Sequence, residues 1–169
     1  AARVEATAMH LFDQVAPAWG LEAEDRTKLG WAALLHEIGL AIAHSQHHVH
    51  GAYLLEHSDI SGFTRQQQQV LAALVRTQRR GIARHAFEDI PERLMTRTQR
   101  IAALLRLAVL LNRSHVAVDL PRLKLRADGR VLTLSLPRRW LEARPLMMTA
   151  LSGEPADMHA LGIELRFGD

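Results

Sequence analysis

Seven of the ten histidines lie at or before His57, and four of them, His44, His47, His48 and His50, fall within seven residues. Another, His36, is followed directly by Glu37. Imidazoles and a carboxylate gathered in this way can ligate a divalent metal, with His36, Glu37, His47 and His48 as the candidate set. Protonated, His36, His47, His48 and His50 can instead contact phosphate. The competing reading is a polar loop whose histidines cap helices or face water. His10, His57, His85, His115 and His159 stand apart and are assigned no chemistry.

The second group is cationic. Arg76-Thr77-Gln78-Arg79-Arg80 closes a predicted helix, where cations also serve the helix dipole. Arg106 interrupts the run Leu104-Leu105-Arg106-Leu107-Ala108-Val109-Leu110-Leu111, and Arg113 follows seven residues later on the same helical face. A charge in so apolar a helix needs a partner: Glu37 or another early acid, or an anion in a cleft. Net charge is +3, unevenly spread. Residues 1–60 carry three basic residues against eight acids, a balance of −5. Residues 61–115 carry ten arginines against three acids, +7, and residues 116–169 eight against seven, +1. Arginine is the planar fork suited to phosphate and carboxylate. A GC-rich genome explains the scarcity of lysine, but not why one segment holds the excess.

Several chemistries are excluded. Without cysteine there is no disulfide framework and no thiolate metal site. There is no glycine-rich phosphate loop, no Gly-x-Ser-x-Gly, and Lys28 and Lys124 lack Walker neighbours. Aromatic residues make up 5%, too few in the basic segment for base stacking, so nucleic acid is not an expected partner. The apolar runs are too short to span a bilayer and no export signal opens the chain, so a cytoplasmic location with no membrane partner is expected. The start at Ala1, without an initiator methionine, predicts a piece of something longer.

The elements that must position these residues are first helical, then mixed. Residues 2–16 read as a helix ended by Pro17, and residues 22–42 as a second whose Trp31, Leu34, Leu35, Ile38 and Ile42 form a core-facing stripe. A short helix is predicted over residues 50–57, a turn at Gly62, and a helix over residues 65–79 capped by Thr64. After a loop over residues 81–91, residues 98–114 form a central helix apolar on most faces. Beyond Asp119, Leu123, Leu125 and Ala127 alternate with charges, Asp128-Gly129 signals a hairpin, and Leu132, Leu134 and Leu136 alternate again. A short helix after Pro137, a strand at Leu146–Leu151, a helix at Glu154–Leu161 and a strand at Ile163–Phe167 complete a ββαβαβ unit. The fold class is mainly α: an all-helical domain over residues 1–118, then a small α+β domain over 119–169.

Leu35-His36-Glu37-Ile38-Gly39, His47-His48-Val49-His50, Ser61-Gly62-Phe63 and the run from Leu105-Arg106-Leu107-Ala108 to Asn112-Arg113-Ser114 resemble, in order and spacing, the C-terminal region of the exopolyphosphatase and guanosine pentaphosphate phosphatase family. The resemblance covers nearly the whole chain. It implies a parent enzyme whose N-terminal actin-like domains, absent here, remove terminal phosphates from polyphosphate with magnesium. It implies that the helical part is HD-like, after a His-Asp metal pair. His36 keeps the motif histidine, while Glu37 stands where aspartate is usual. Arg3 and Gln78 replace histidines common in relatives, and Val109 and Asn112 replace two aspartates.

A hard divalent cation would lack most of its charged ligands in such a set. The expectation is a non-catalytic fragment with no cofactor of its own, binding polyphosphate or a related polyphosphorylated ligand through Arg76, Arg79, Arg80, Arg106, Arg113, His36, His47, His48 and His50. The resemblance also implies a homodimer formed through this region. Two rivals remain: a surviving HD-type phosphohydrolase acting on guanosine pentaphosphate through His36, Glu37, His47 and His48, and a purely structural dimerisation module.

Overall fold

The computed structural model describes residues 1–113 and 122–168, so the expected domain boundary near Val118–Pro121 lies outside the described residues. Five helices come first: α1 (Ala2–Trp19), α2 (Ala23–Leu35), α3 (His47–His57), α4 (Arg65–Arg76) and α5 (Glu92–Leu111). Strands β1 (Lys124–Asp128) and β2 (Val131–Ser135), helices α6 (Arg138–Glu142) and α7 (Pro145–His159), and strand β3 (Glu164–Gly168) follow. The fold is mainly helical with a small α+β unit behind it.

Each helix follows from local chemistry, and where the bounds differ from expectation the cause is visible. In α1, Val4, Leu11, Phe12, Val15 and Trp19 recur at helical spacing and are buried. Pro17 does not end this helix. Its fixed φ is a helical one, and the stop comes at Gly20, whose φ of 65° is left-handed and whose N–H donates to the Ala16 carbonyl. The second helix stops at Leu35 instead of Ile42. Gly39 lies in a 3₁₀ turn, Ile38–Ala41, pressed against α3: a Cβ there would collide with the His47 carbonyl and stand 2.6 Å from the Gly51 nitrogen. The chain therefore turns at His36–Glu37 to bring that glycine onto α3. The fully buried face of α2 is accordingly Leu29, Ala32 and Ala33; of the predicted stripe, Trp31, Leu35 and Ile38 pack partly buried against the core, whereas Leu34 is 47% and Ile42 52% exposed.

Thr64 caps α4 as expected, its hydroxyl accepting from the Gln67 amide while Gln67 Oε1 accepts from the Thr64 amide. Helix α4 ends at Arg76, three residues before the predicted stop, and Arg80 adopts a left-handed φ of 60°. Helix α5 is the central one: Ile101, Ala102, Ala103, Leu104, Leu105, Leu107, Ala108, Leu110 and Leu111 are all buried.

The Asp128-Gly129 hairpin forms, with Lys124 opposite Ser135 and Gly129 at φ 56°. Strand β3 adds parallel to β2, Val131 opposite Glu164, giving the order β1-β2-β3. Strand β1 and the hairpin turn rest on α1, while β3 packs on α7. Gln14 Nε2 donates to the Leu123 carbonyl at 3.0 Å and its Oε1 accepts from the Leu125 amide at 3.0 Å, while Trp19 Nε1 donates to the Gly129 carbonyl at 2.9 Å. The predicted strand at Leu146–Leu151 is instead part of α7, so the unit runs ββααβ. Pro145 occupies the first helical turn, and Met147, Leu151, Glu154 and Met158 are buried at intervals of three and four, the period of a helix. The intervening Leu146 is 87% exposed.

Arg106 joins the two parts. It is 2% exposed, and each of its five N–H donors is used. Nε and NH2 form a fork on Glu154 at 3.1 and 2.8 Å, and NH2 also reaches Asp157 at 3.1 Å. NH1 donates to the carbonyls of Thr77 and Arg80, both at 2.8 Å. The expected pairing with Glu37, or with an anion in a cleft, is therefore replaced by acids of α7. Arg106→Ala should destabilise the chain by about 3–5 kcal/mol, because it strands the buried Glu154 carboxylate. Urea unfolding measures this; a loss under about 1 kcal/mol would mean that the fork is not formed.

Candidate anion-binding cavity

One cavity of about 480 Å³ gathers residues from five places in the chain. The start of α1 gives Arg3 and Val4, the turn after α2 gives His36 and Glu37, and the start of α3 gives His47. The turn after α4 gives Gln78 and Arg79, and the end of α5 gives Val109, Asn112 and Arg113. All the positions where the sequence departs from the HD pattern thus line a single space.

The polar groups are only partly satisfied. His36 is buried, and its Nδ1–H donates to the Ala33 carbonyl at 2.6 Å, which turns Nε2 toward Glu37 Oε1 at 3.4 Å. Burial lowers the His36 pKa and favours the neutral ring, against the opposing pull of the Ala33 carbonyl and the Glu37 charge. Gln78 is 1% exposed; its Nε2 donates to the His36 carbonyl at 2.6 Å, and its Oε1 has no partner. Arg79 NH1 donates to His47 Nε2 at 2.6 Å. That bond places the proton of His47 on Nδ1, which is buried without a partner, as is Nε of Arg79. Among the described residues no carboxylate lies within ion-pair distance of Arg79. Desolvation, then Arg80 and Arg113, lower its pKa, the signature of a cation among cations.

These residues do not fit a divalent metal. The Nε2 lone pair of His47 is taken by a guanidinium, Glu37 is the only carboxylate lining the cavity among the described residues, and Val109 has no donor atom. Asn112 spends its amide on Thr7 Oγ1 and the Ala108 carbonyl, at 2.9 and 2.7 Å. Among the described residues no three His, Asp or Glu side chains come together as a metal site. The arrangement can instead receive an anion, offering guanidinium donors of Arg79 and Arg113 beside a neutral Asn112 that adds no carboxylate charge.

The remaining expected ligands divide. His48, Arg76 and Arg80 line a different cavity, of about 460 Å³. His50 is half-buried and lines neither space. Arg106 is withdrawn into the core. Adjacent residues in α3 lie about 100° apart, so His47 and His48 cannot share a site unless it wraps the helix; the helix starts at His47, three residues before the expected start, and that is what separates them. Nothing in the local pattern announced Glu154 and Asp157 as partners of Arg106.

The chain matches the description "Ppx/GppA phosphatase, domain III" over residues 1–155. It is similar to a protein named guanosine-5'-triphosphate,3'-diphosphate pyrophosphatase from Aeromonas hydrophila subsp. hydrophila, with 36% identity over 163 residues, 96% of this chain and 33% of that protein. A protein of the same name from Aeromonas salmonicida is 34% identical over the same share of each. The chain therefore spans about a third of the length of these relatives. No helix among the described residues is long and apolar enough to cross a membrane.

The histidines of α3 make stability depend on pH. Burial first, then Arg79, His47, Arg80 and Arg76, lower the His48 pKa to about 4, and burial followed by Arg79 lowers that of His47. A histidine whose folded pKa lies below its unfolded value contributes stability above about pH 6.5 that is lost as pH falls toward the folded pKa. The melting temperature should therefore fall between about pH 6.5 and 4, and His48→Gln should flatten part of that fall. Equal slopes for the two proteins in thermal melts would contradict the assignment.

Proposed function

This chain belongs to the Ppx/GppA phosphatase family, and on that premise we propose that it binds the phosphate chain of a polyphosphorylated substrate without hydrolysing it, inorganic polyphosphate being the preferred ligand. The observation that carries this reading is Arg79: half-buried, without a carboxylate partner among the described residues, in a cavity where Val109 and Asn112 stand at the positions of two aspartates and Arg3 at that of a histidine. The +7 balance of residues 61–115 supports it, because a polyanion gains from many moderate cationic contacts as a nucleic-acid backbone does. A nucleotide such as guanosine pentaphosphate offers the same groups. In this reading the catalytic domains and their magnesium belong to parts of a longer, cytoplasmic enzyme, and the chain adds retention of substrate between cleavages. It also contributes to a homodimer, which the exposed Leu146 and Met148, beside an apolar cavity of about 510 Å³, support.

Calorimetry with long polyphosphate at several salt concentrations tests the reading. Affinity should fall with salt with a log–log slope of roughly −0.7 per phosphate contact. Arg79→Ala should weaken binding by about 1.5–3 kcal/mol, the range for a hydrogen bond to a charged group. The same samples should sediment as dimers at micromolar concentration and release no phosphate with magnesium. Undetectable binding at low salt by a folded protein would favour the structural module. Phosphate release abolished by His36→Ala would restore the HD enzyme.

A further inference from the structure

The cavity on the other side of Arg79 has its own chemistry. It is formed where α3 begins and where the chain leaves α4, and Ser45, Gln46, His48, Arg76, Arg80 and Gly81 contribute to its wall. Among the described residues no carboxylate belongs to that wall, and none lies within ion-pair distance of Arg76 or Arg80. The Val49 amide donates to the Gln46 carbonyl at 3.0 Å, but the His47 and His48 amides that open α3 have no intrahelical acceptor, and the Gln46 side chain at the N-cap, in a left-handed conformation with φ 55°, does not cap them. An uncapped eleven-residue helix start favours negative charge.

The independent observation is His48. It is 6% exposed, it lines this cavity, and its Nδ1 has no hydrogen-bond partner. Arg76 NH2 donates to His85 Nε2 at 3.1 Å, which leaves its charge uncompensated. A buried imidazole nitrogen left open beside two guanidinium groups without a carboxylate among the described residues costs stability unless something completes it. Arg80 is held to the spot by its backbone: its carbonyl accepts from the buried Arg106 and its φ is 60°. That conformation is uncommon for an arginine, and here it sends the chain back from the core and leaves the side chain exposed.

We propose that this pocket is a second anion site, built by His48, Arg76 and Arg80, which takes a phosphoryl group while the first cavity holds another. The pairs His47-His48 and Arg79-Arg80 are split between the two spaces, the first member of each lining one and the second lining the other. One chain therefore engages two phosphoryl groups through neighbouring residues. The ligand class follows the reading of the first cavity; the site does not, and the two can be separated by experiment.

Histidine side-chain NMR of the intact chain, titrated with inorganic phosphate and then with tripolyphosphate, reads each site through its own ring: His47 for the first cavity, His48 for the second. Saturable shifts of the His48 resonances are expected with either probe. Arg80→Asn keeps a residue tolerant of positive φ and removes the guanidinium; it should weaken the His48 response at least tenfold and leave the His47 response unchanged. Arg79→Ala should do the reverse at His47. If Arg80→Asn does not fold, Arg76→Gln serves in its place. A His48 resonance indifferent to both probes, or one whose response survives both variants, would overturn the second site. Response of His48 without response of His47 would leave it standing and remove the first.

Discussion

The buried guanidinium of Arg106 determines where the arginines of the site stand. One of its nitrogens holds the carbonyls of Thr77 and Arg80, so the turn carrying Gln78 and Arg79 is pinned at both ends. Its other donors are saturated by Glu154 and Asp157 of α7. A charge in that position would be intolerable alone, and the small α+β unit supplies its compensation. The tail is thus tied to the helical part through the same residue that holds the turn bearing Gln78 and Arg79, and none of its donors is left for a ligand.

With the turn fixed, the character of the first cavity follows from substitution. The fold brings together positions from α1, α2, α3, α4 and α5 in the way a metal centre requires. At this chain's positions stand an arginine, a glutamine, a valine and an asparagine, with Glu37 the remaining carboxylate of the lining. Arg79 on the lone pair of His47 completes the inversion, because a protonated guanidinium now occupies the place where a cation would be bound. What survives is a concave space whose unmet donors favour negative charge.

Much of this was legible in the sequence, and the reasons for the failures are physical. Helix α5 could be placed as central because a fully apolar face-around pattern has one solution, and the hairpin because Asp-Gly has a narrow set of turns. The end of α2 could not be read, because the break depends on Gly39 meeting α3, a contact between segments that no periodicity encodes. Leu146–Leu151 reads as a strand by itself, because a short apolar run does not declare its period; only the spacing of Met147, Leu151, Glu154 and Met158 over the longer stretch does. Of the expected ligands, His36, His47, Arg79 and Arg113 meet in one space, and His48, Arg76 and Arg80 in another. Arg106 was singled out correctly as a charge needing a partner, but its acids lie about fifty residues downstream, beyond any local signal.

The central claim is that an anion site stands where a metal centre would be. It is tested most directly by a crystal structure of the chain grown with both manganese and tripolyphosphate, in which anomalous scattering separates the two. The account predicts phosphate oxygens within hydrogen-bond distance of Arg79 in the first cavity and no manganese peak between His36 and Glu37. Manganese ligated by His36, Glu37 and His47, with Arg79 displaced from the ring, would contradict it.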